Sequence, residues 1–455
     1  MKRESQPVTE IVIVGGGYVG FHAYRKIIAR LGREVRSGRI RITLVDPETS
    51  HTFHGWSGET VAGAISNGAR HSPFRRLFRY ARFIRGYAGR IDQKEKRVEI
   101  RTIDGRGTLS VRFDHLILGC GVGDDLDAIP GTREFGTGLR SGGGPEGLRG
   151  LIVERVEEAE LERNAERRSR LLTFVVAGGG FTGVETAAAI AEYLDYLRPR
   201  YRRLLEREDS VSLIHSGPAI LGEISGFTRL VDYATRTLID RGVRLRLGMR
   251  AVRIERDRVV LSDGTAIASA TVVSTVGSRV REIPGGESWD RDSQGRVCVD
   301  RFLRVRGTSS IWAGGDGASV RSGRLEGATP ANALWAIRHG ETIGINLSRL
   351  LTGRPLHPFN YRGLGQAASL GIGKGVVELK GLQFTGWTGW LMRISFFLYF
   401  VPCRRTGLKG LIEWLALPFV GRDTSPTAPV HVRVFSRFNH GMQAVPSGEI
   451  TGRLN

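Results

Sequence analysis

The residues of this chain best suited to chemistry are glycines, set out twice as G-x-G-x-x-G: Gly15, Gly17 and Gly20 in IVIVGGGYVG, and Gly178, Gly180 and Gly183 in VVAGGGFTG. In such a set the first glycine permits a tight turn, the second lets backbone approach a pyrophosphate, and the third lets a helix pack closely on its strand. Phosphates then lie against free amides at a helix N-terminus, where the dipole favours negative charge. A single set is a weak signal, because an ordinary tight turn can produce it. Two sets in one chain point to two dinucleotides, and an economical pair is a flavin and a nicotinamide, between which electrons pass directly.

Strand, turn and helix must position these glycines. Apolar, β-branched runs at residues 11–14 and 174–176 precede them, and helix-like stretches follow. After Gly20 the helix runs to about residue 31, and a second strand, RITLVD, ends at Asp46. An acid there accepts hydrogen bonds from adenosine ribose hydroxyls; the alternative is a strand-end turn residue. Much later the apolar strand SSIWAGGD ends in Gly314, Gly315 and Asp316. In flavoproteins with two dinucleotides this pattern closes the flavin site, with the aspartate at the ribityl or pyrophosphate region; alone it would be an ordinary turn. The fold class is therefore α/β, with two Rossmann-like dinucleotide-binding domains in a glutathione-reductase-like arrangement, the second inserted in the first.

Composition narrows the partners. At 455 residues the chain holds two or three domains, since single cores stop growing near roughly 250–300 residues. A formal charge of +21 raises nucleic acid, anionic membrane and acidic substrates as partners. The charge is dispersed, however, with seven Lys against 60 Arg spread along the chain. The densest run, residues 70–90, interleaves Arg with Phe74, Phe78, Tyr80, Phe83 and Tyr87; it reads either as a nucleic-acid or lipid-headgroup surface or as a solvated helix face and strand with aromatics turned inward. Cys120, Cys298 and Cys403 form no CxxC and no Cys/His cluster, so neither a redox disulfide nor a metal site is expected. The N-terminus has no apolar signal region, and the longest apolar stretch, ISFFLYFV, is shorter than the about 20 residues of a spanning helix.

Beyond these motifs the chain resembles the type II NADH:quinone dehydrogenases, within the pyridine nucleotide-disulfide oxidoreductase superfamily. The resemblance covers about residues 8–420 and rests on FDHLILGCG before IPG, LIVERVEEAELE, FVVAGGGFTGVETAAAIAE, VDRFLRVRGTSSIWAGGD and RHGETIGINLSRLLTGRPLHPFNYRGLGQAASLG. The last segment and its aromatic tail discriminate best, because disulfide reductases of the superfamily end in a dimerisation domain instead. The resemblance implies FAD at Gly15, Gly17, Gly20, Asp46, Gly121 and Asp316, and NADH or NADPH at Gly178, Gly180, Gly183, His215 and Gly277. It also implies that His51 and Phe53 lie near the flavin, from a similar H-x-F motif, although Gly55 stands where the family commonly has proline. Otherwise His51 is a capping or core histidine. Glu185 is implied to lie close to flavin and acceptor, suited to proton delivery; its alternative is an acid in the first helical turn, stabilised by roughly 0.3–1 kcal/mol. Gly277 is implied to let the chain pass close to the nicotinamide, or simply ends a strand.

Two departures stand out. The strand VSLIHSG ends at His215, where NAD-specific members place an acid. Losing that carboxylate removes the acceptor for the ribose 2′-hydroxyl and the repulsion against a 2′-phosphate, so both NADH and NADPH remain open. On the acceptor side, the family carries A-Q-x-x-x-Q on a helix at the quinone site, but this chain reads TPANALWAIRHG, with Leu334 and Arg338 at the glutamine positions. Ala331 and Asn332 still begin a helix beneath the isoalloxazine, whose amides stabilise anionic reduced flavin. Leu334 and Trp335 would build an apolar slot for a quinone, with Arg338 as donor, or are ordinary core and surface positions.

After Gly381 the chain becomes aromatic and apolar. Helical spacing aligns Trp387, Trp390, Leu391, Ile394, Leu398 and Val401 on one face, and Leu408, Leu411, Ile412 and Leu415 on another. With Arg404, Arg405 and Lys409 nearby this is an interfacial membrane anchor, or else a pair of core or homodimer-interface helices. The expected organisation is an FAD-binding domain of residues 1–145 and 300–375, an NAD(P)H-binding domain of 146–299, membrane-association helices of 376–420, and a tail of 421–455 without assigned role. The expected activity is hydride transfer from nicotinamide to FAD and then two electrons to a membrane quinone, on the cytoplasmic side of the cell membrane and peripherally attached. Alternatives are a soluble NAD(P)H-dependent flavoprotein reductase with another acceptor, and a redox-sensing or nucleic-acid-binding flavoprotein; nucleic acid is not the expected partner.

Overall fold

The computed structural model describes residues 8–323 and 327–425, so most of the expected tail lies outside the described residues. The first glycine set follows Thr9–Val14, an inner strand of a seven-stranded sheet. Ile311–Ala313, His115–Leu118, Thr9–Val14, Ile40–Asp46 and Ala81–Asp92 run parallel, and Arg97–Thr102 and Thr108–Arg112 extend the edge as an antiparallel meander. The central strands are apolar because helices or loops cover both their faces. Helix Tyr18–Arg36 packs against helix Ala333–Leu351 at very short range: a Cβ on Gly340 would lie 2.4 Å from the Val19 carbonyl oxygen, and one on Gly344 2.4 Å from that of Ala23. The late helix is thereby fixed to the helix that follows the first glycine loop.

The second glycine set follows Thr173–Ala177 in a separate five-stranded parallel sheet, ordered Gly136–Thr137, Thr271–Ser274, Thr173–Ala177, Ser210–His215 and Val243–Leu247. Two chain crossings join the lobes, and they are zipped together: Val122–Asp124 pairs antiparallel with Ser278–Val280. The inserted lobe thus occupies about residues 125–277 rather than 146–299. Strand Gly136–Thr137 already belongs to the second sheet, whereas Val297–Cys298 pairs with Ala318–Ser319. Neither crossing carries a shift in composition that would mark it.

Residues 365–375, expected in the first domain, belong instead to a C-terminal unit. Gly365–Ser369, Gly375–Leu379 and Leu382–Thr385 form a small antiparallel sheet, and Ala368, Leu370 and Val376 share a core with Val184, Ala188 and Leu238 of the second lobe. Helices Gly386–Phe400 and Arg404–Val420 follow. The face expected along the first of these splits: Trp390, Ile394 and Val401 turn inward, while Trp387 and Leu391 join Leu408, Leu411, Ile412, Leu415 and Phe419 in an exposed apolar surface. Among the described residues, no helix is long and apolar enough to cross a membrane.

Beyond Val420 the chain turns back over the junction between the lobes. Arg422 donates to the Ala62 carbonyl at 2.8 Å and pairs with Glu192 at 3.1 Å. Asp423 receives Arg149 at 2.9 Å and, at its carbonyl, Tyr193 Oη at 2.8 Å, while its N–H donates to Gly63 at 3.0 Å. The basic run of residues 70–90 divides: Arg70 is buried against Glu146 at 3.1 Å and Phe74 and Phe78 enter the core, but Tyr80 and Tyr87 stay exposed.

Candidate active site

Both glycine loops open onto one cleft of about 2360 Å³. In the first loop Gly15 adopts φ +94°, and a Cβ there would lie 2.4 Å from the Gly119 carbonyl oxygen; on Gly20 it would lie 2.0 Å from that of Gly15. These two glycines are demanded by the fold itself. Gly17 is not: its φ is −69° and a Cβ would meet nothing within 4 Å. The space it leaves is the mouth of the cleft, at the uncapped N-terminus of helix Tyr18–Arg36. Asp46 Oδ2 accepts from the Gly16 N–H at 2.7 Å and Oδ1 from that of Glu48 at 2.8 Å. Burial raises its carboxyl above the ordinary aspartate range, with those hydrogen bonds opposing.

Further along the cleft, the Gly315 N–H donates to His339 Nδ1 at 3.0 Å. Burial pushes the His339 imidazole down to about 3, so a neutral ring holds the turn that presents Asp316. Burial also raises the Asp316 carboxyl, against Arg140 and Arg296. Gly121, Asp316, Ala331 and Asn332 all line the cleft, and Asn332 caps helix Ala333–Leu351 by accepting from the Trp335 N–H at 3.2 Å. The open space at Gly17, a fixed acceptor at Asp46 and a second acid at Asp316 fit an extended dinucleotide such as FAD. Cys120 lines the same wall, but burial pushes its thiol up to about 12, which keeps it from acting as a thiolate.

The second loop repeats the first. Gly178 adopts φ +111°, and a Cβ on Gly183 would lie 1.8 Å from the Gly178 carbonyl oxygen. Gly180 and Gly183 face the cleft, with Glu223 beside Gly180. His215 Nδ1 accepts from the Gly179 N–H at 3.2 Å. Gly277 is exposed and outside the residues that line the cleft, and a Cβ there would lie 3.1 Å from Asp125 Cβ; Thr275 supplies the lining.

Of the three residues expected at an acceptor, one lines the cleft and two do not. Leu334 lines the cleft with Ala336 and Ile337. Trp335 turns away, edge-on to Tyr361 at 4.8 Å, and Arg338 pairs with Glu341 at 2.7 Å on the outer surface. The helical period accounts for this, since residues 334 and 337 share a side and each following residue is rotated by about 100°. The cleft is also lined by a group the sequence did not point to: Met392, Phe396, Phe397 and Phe400 of helix Gly386–Phe400.

His51 lines the cleft, buried, edge-on to Tyr18 at 4.7 Å, with neither ring nitrogen hydrogen-bonded. Burial pushes it down to about 3, so it is a neutral imidazole. A buried imidazole without partners is costly, and here it faces the cavity. Phe53 is buried beside it against Trp56 and Phe397.

Glu185 does not line the cleft. Its Oε1 accepts from the Ser369 N–H and from Arg393 Nη2, each at 2.8 Å. Arg393 does line the cleft; it is fully buried, donates also to Glu59 and to the Gly55 carbonyl at 2.8 Å, and lies over the Phe397 ring at 4.3 Å. Burial raises the Glu185 carboxyl, and the Arg393 guanidinium only partly offsets this. Glu185 therefore reaches the cleft through Arg393. Sequence reasoning missed Arg393, Glu59 and His339, although a lone arginine in the apolar helix GWTGWLMRISFFLYF was a usable signal.

The sequence profile of the pyridine nucleotide-disulphide oxidoreductases matches residues 7–340. The chain is 28% identical over 417 residues to the type II NADH:quinone oxidoreductase Ndh of Mycobacterium tuberculosis, covering 89% of this chain and 87% of that protein. It is also 28% identical over 417 residues to the demethylphylloquinone reductase NdbB of a Synechocystis species, covering 90% and 96%. Among solved structures, NDH2 of Plasmodium falciparum in complex with NADH matches with a TM-score of 0.82 at 14% identity, covering 92% of this chain and 99% of that one.

Proposed function

The chain belongs to the pyridine nucleotide-disulphide oxidoreductase family, and from that premise we propose that it is an FAD-dependent NAD(P)H:quinone oxidoreductase of the type II kind. One observation carries the reading: two phosphate-binding loops share a single cleft, and the end of that cleft is walled by aromatic side chains of a helix that also borders an exposed apolar surface. Bound FAD supplies the two-electron relay between nicotinamide and quinone.

The protein's own residues do the rest. Free amides at the start of helix Tyr18–Arg36 and the gap at Gly17 receive the flavin pyrophosphate, Asp46 receives the adenosine ribose, and Asp316 receives the middle of the cofactor. Gly180, Gly183 and the start of helix Phe181–Leu197 receive the nicotinamide dinucleotide. Amides in the first turn of helix Ala333–Leu351 favour negative charge at the flavin ring. Leu334, Phe396, Phe397 and Phe400 exclude water and form the slot for a quinone ring. Glu185 acts through Arg393 as a positioning residue and a store for a proton. Outside, Trp387, Leu391, Leu408, Ile412 and Leu415, with Arg404 and Arg405, seat the protein peripherally on a membrane.

The test is anaerobic reduction of the flavin-loaded protein by NADH or NADPH, followed by a short-chain menaquinone analogue. Flavin bleaching and then recovery of its absorbance are expected. Absence of flavin would sink the whole assignment, whereas bleaching without recovery on adding quinone would sink only the acceptor.

A further inference from the structure

A second, much smaller cavity of about 10 Å³ is lined by Gly58, Glu59, Glu185, Glu192, Trp390 and Trp414, among others. Helix Phe181–Leu197 brings two carboxylates to it, because Glu185 and Glu192 stand about two turns apart and share a side. Both are tied to one hairpin: Glu185 Oε1 accepts from the Ser369 N–H and Glu192 Oε1 from the Ile372 N–H, each at 2.8 Å. Their ion pairs fall on the same oxygens, Arg393 at 2.8 Å on Glu185, and Arg422 at 3.1 Å and Arg241 at 3.5 Å on Glu192. Among the described residues nothing bonds to Oε2 of either.

Trp390 and Trp414 stand edge-on to each other at 5.2 Å. Trp390 is only 8% exposed, and both indole N–H groups are buried with no hydrogen-bond partner among the described residues. An indole nitrogen can only donate, and a buried donor left unpaired is costly. An ordered water needs roughly 10–15 Å³ and two to four polar partners. Two unpaired donors and two open carboxylate oxygens line a space of that size.

We propose that this cavity holds one ordered water joining Glu192 to Glu185, and that through it Glu185 takes up a proton from outside the cleft when electrons reach the acceptor. This rests on the quinone reading of the cleft. The relay balances: the water gives one proton to the Glu185 carboxylate as it takes one from the Glu192 carboxyl, and Glu192, whose side chain retains 12% exposure, is refilled from solvent. Burial already raises the Glu185 carboxyl above the ordinary glutamate range, against Arg393, which favours its holding the proton. With Glu185 neutral, the Arg393 guanidinium is shared only between Glu59 and the cleft it lines, so its charge offsets negative charge arising there.

The decisive variant of the full-length, flavin-loaded protein is Gly58→Ala. Its Cβ would lie 3.6 Å from the Glu185 carbonyl oxygen and 3.9 Å from Ala189 Cβ, which are ordinary contacts. It takes the room of the water, leaves all three carboxylates in place, and replaces a helical glycine, so Tm should not fall. Crystals of the unaltered protein should show one water within hydrogen-bonding distance of Glu185 and Glu192, absent in Gly58→Ala. Reoxidation of the flavin by a short-chain menaquinone analogue should slow at least about tenfold in the variant, and further in heavy water, while flavin reduction by NADH stays within about twofold. Glu192→Gln, which still accepts from the Ile372 N–H but has no acid proton to pass on, should slow reoxidation equally. Arg422→Met, which removes an ion pair and keeps the Glu192 carboxylate, should not. A dry cavity in the unaltered protein overturns the proposal, as does an unaltered reoxidation rate in both Gly58→Ala and Glu192→Gln. A water in place with no reoxidation of the unaltered protein by quinone would overturn the acceptor assignment, and the relay with it, but not the water site.

Discussion

Deleting the Arg393 guanidinium should leave the buried Glu59 and half-buried Glu185 carboxylates with no cation between them. Arg393 donates to Glu59, to Glu185 Oε1 at 2.8 Å and to the Gly55 carbonyl at 2.8 Å, and its side chain has no exposure to solvent. Removing one partner of a buried ion pair costs about 3–5 kcal/mol, which at roughly 2–4 °C per kcal/mol lowers Tm by about 6–20 °C. Arg393→Met is the informative change, because its stem still fills the space over the Phe397 ring and the loss is then electrostatic rather than a cavity. Flavoproteins of several lobes often unfold irreversibly, so the assay is urea unfolding followed by circular dichroism at a fixed excess of FAD, with refolding checked. Combining Arg393→Met with Glu59→Gln and Glu185→Gln should recover most of the lost stability, since the stranded charges are gone. A loss below about 1 kcal/mol, the size of an exposed ion pair, would refute the reasoning. So would a triple variant as unstable as the single one.

Glu185 carries a pH signature. Its folded carboxyl lies above the ordinary glutamate value because of burial, with Arg393 opposing, so its contribution to stability is present below the unfolded value and is lost as pH rises through the folded one. Glu185→Gln should therefore gain on the unaltered protein as pH rises above the ordinary glutamate range, read as the difference in urea midpoints; a constant difference contradicts the assignment. Gly17→Val should fold normally, given φ −69° and empty space around its Cβ, yet purify with little flavin absorbance; Gly20→Ala, whose Cβ would lie 2.0 Å from a carbonyl oxygen, should disrupt the fold itself. Replacing Leu408, Ile412 and Leu415 together by Ser removes side chains that are 57%, 56% and 67% exposed and each worth about 1.5–3 kcal/mol when buried in lipid. Sedimentation with anionic vesicles should fall at least about tenfold at unchanged flavin content, and unchanged sedimentation would place the membrane contact elsewhere.

What could be read from the sequence was local. The roles of Gly15, Gly20, Gly178 and Gly183 follow from a turn and a helix packed within a few residues of each other, and Asp46 and His215 follow from the strand that comes next. Helix Ala333–Leu351 was readable in position but not in phase: a shift of one residue, about 100°, separates Leu334 in the cleft from Trp335 packed on Tyr361. The triad of Glu59, Glu185 and Arg393 was not readable, because its partners stand 334 and 208 residues apart and no local pattern links them. The lobe boundaries were missed for a related reason. They are set by the pairing of Val122–Asp124 with Ser278–Val280, and both strands look like their surroundings in composition.

The turn at Arg422 and Asp423 bears on how the protein is handled at the bench. Val420 is the natural place to cut if the two preceding helices are regarded as a detachable foot, yet the next three residues bind Ala62 and Gly63 of one lobe and Arg149, Glu192 and Tyr193 of the other. A protein shortened there loses these contacts with helices Gly144–Leu161 and Phe181–Leu197 along with whatever follows. A fall in flavin reduction in such a preparation would not by itself show a need for lipid, because these contacts are lost with it.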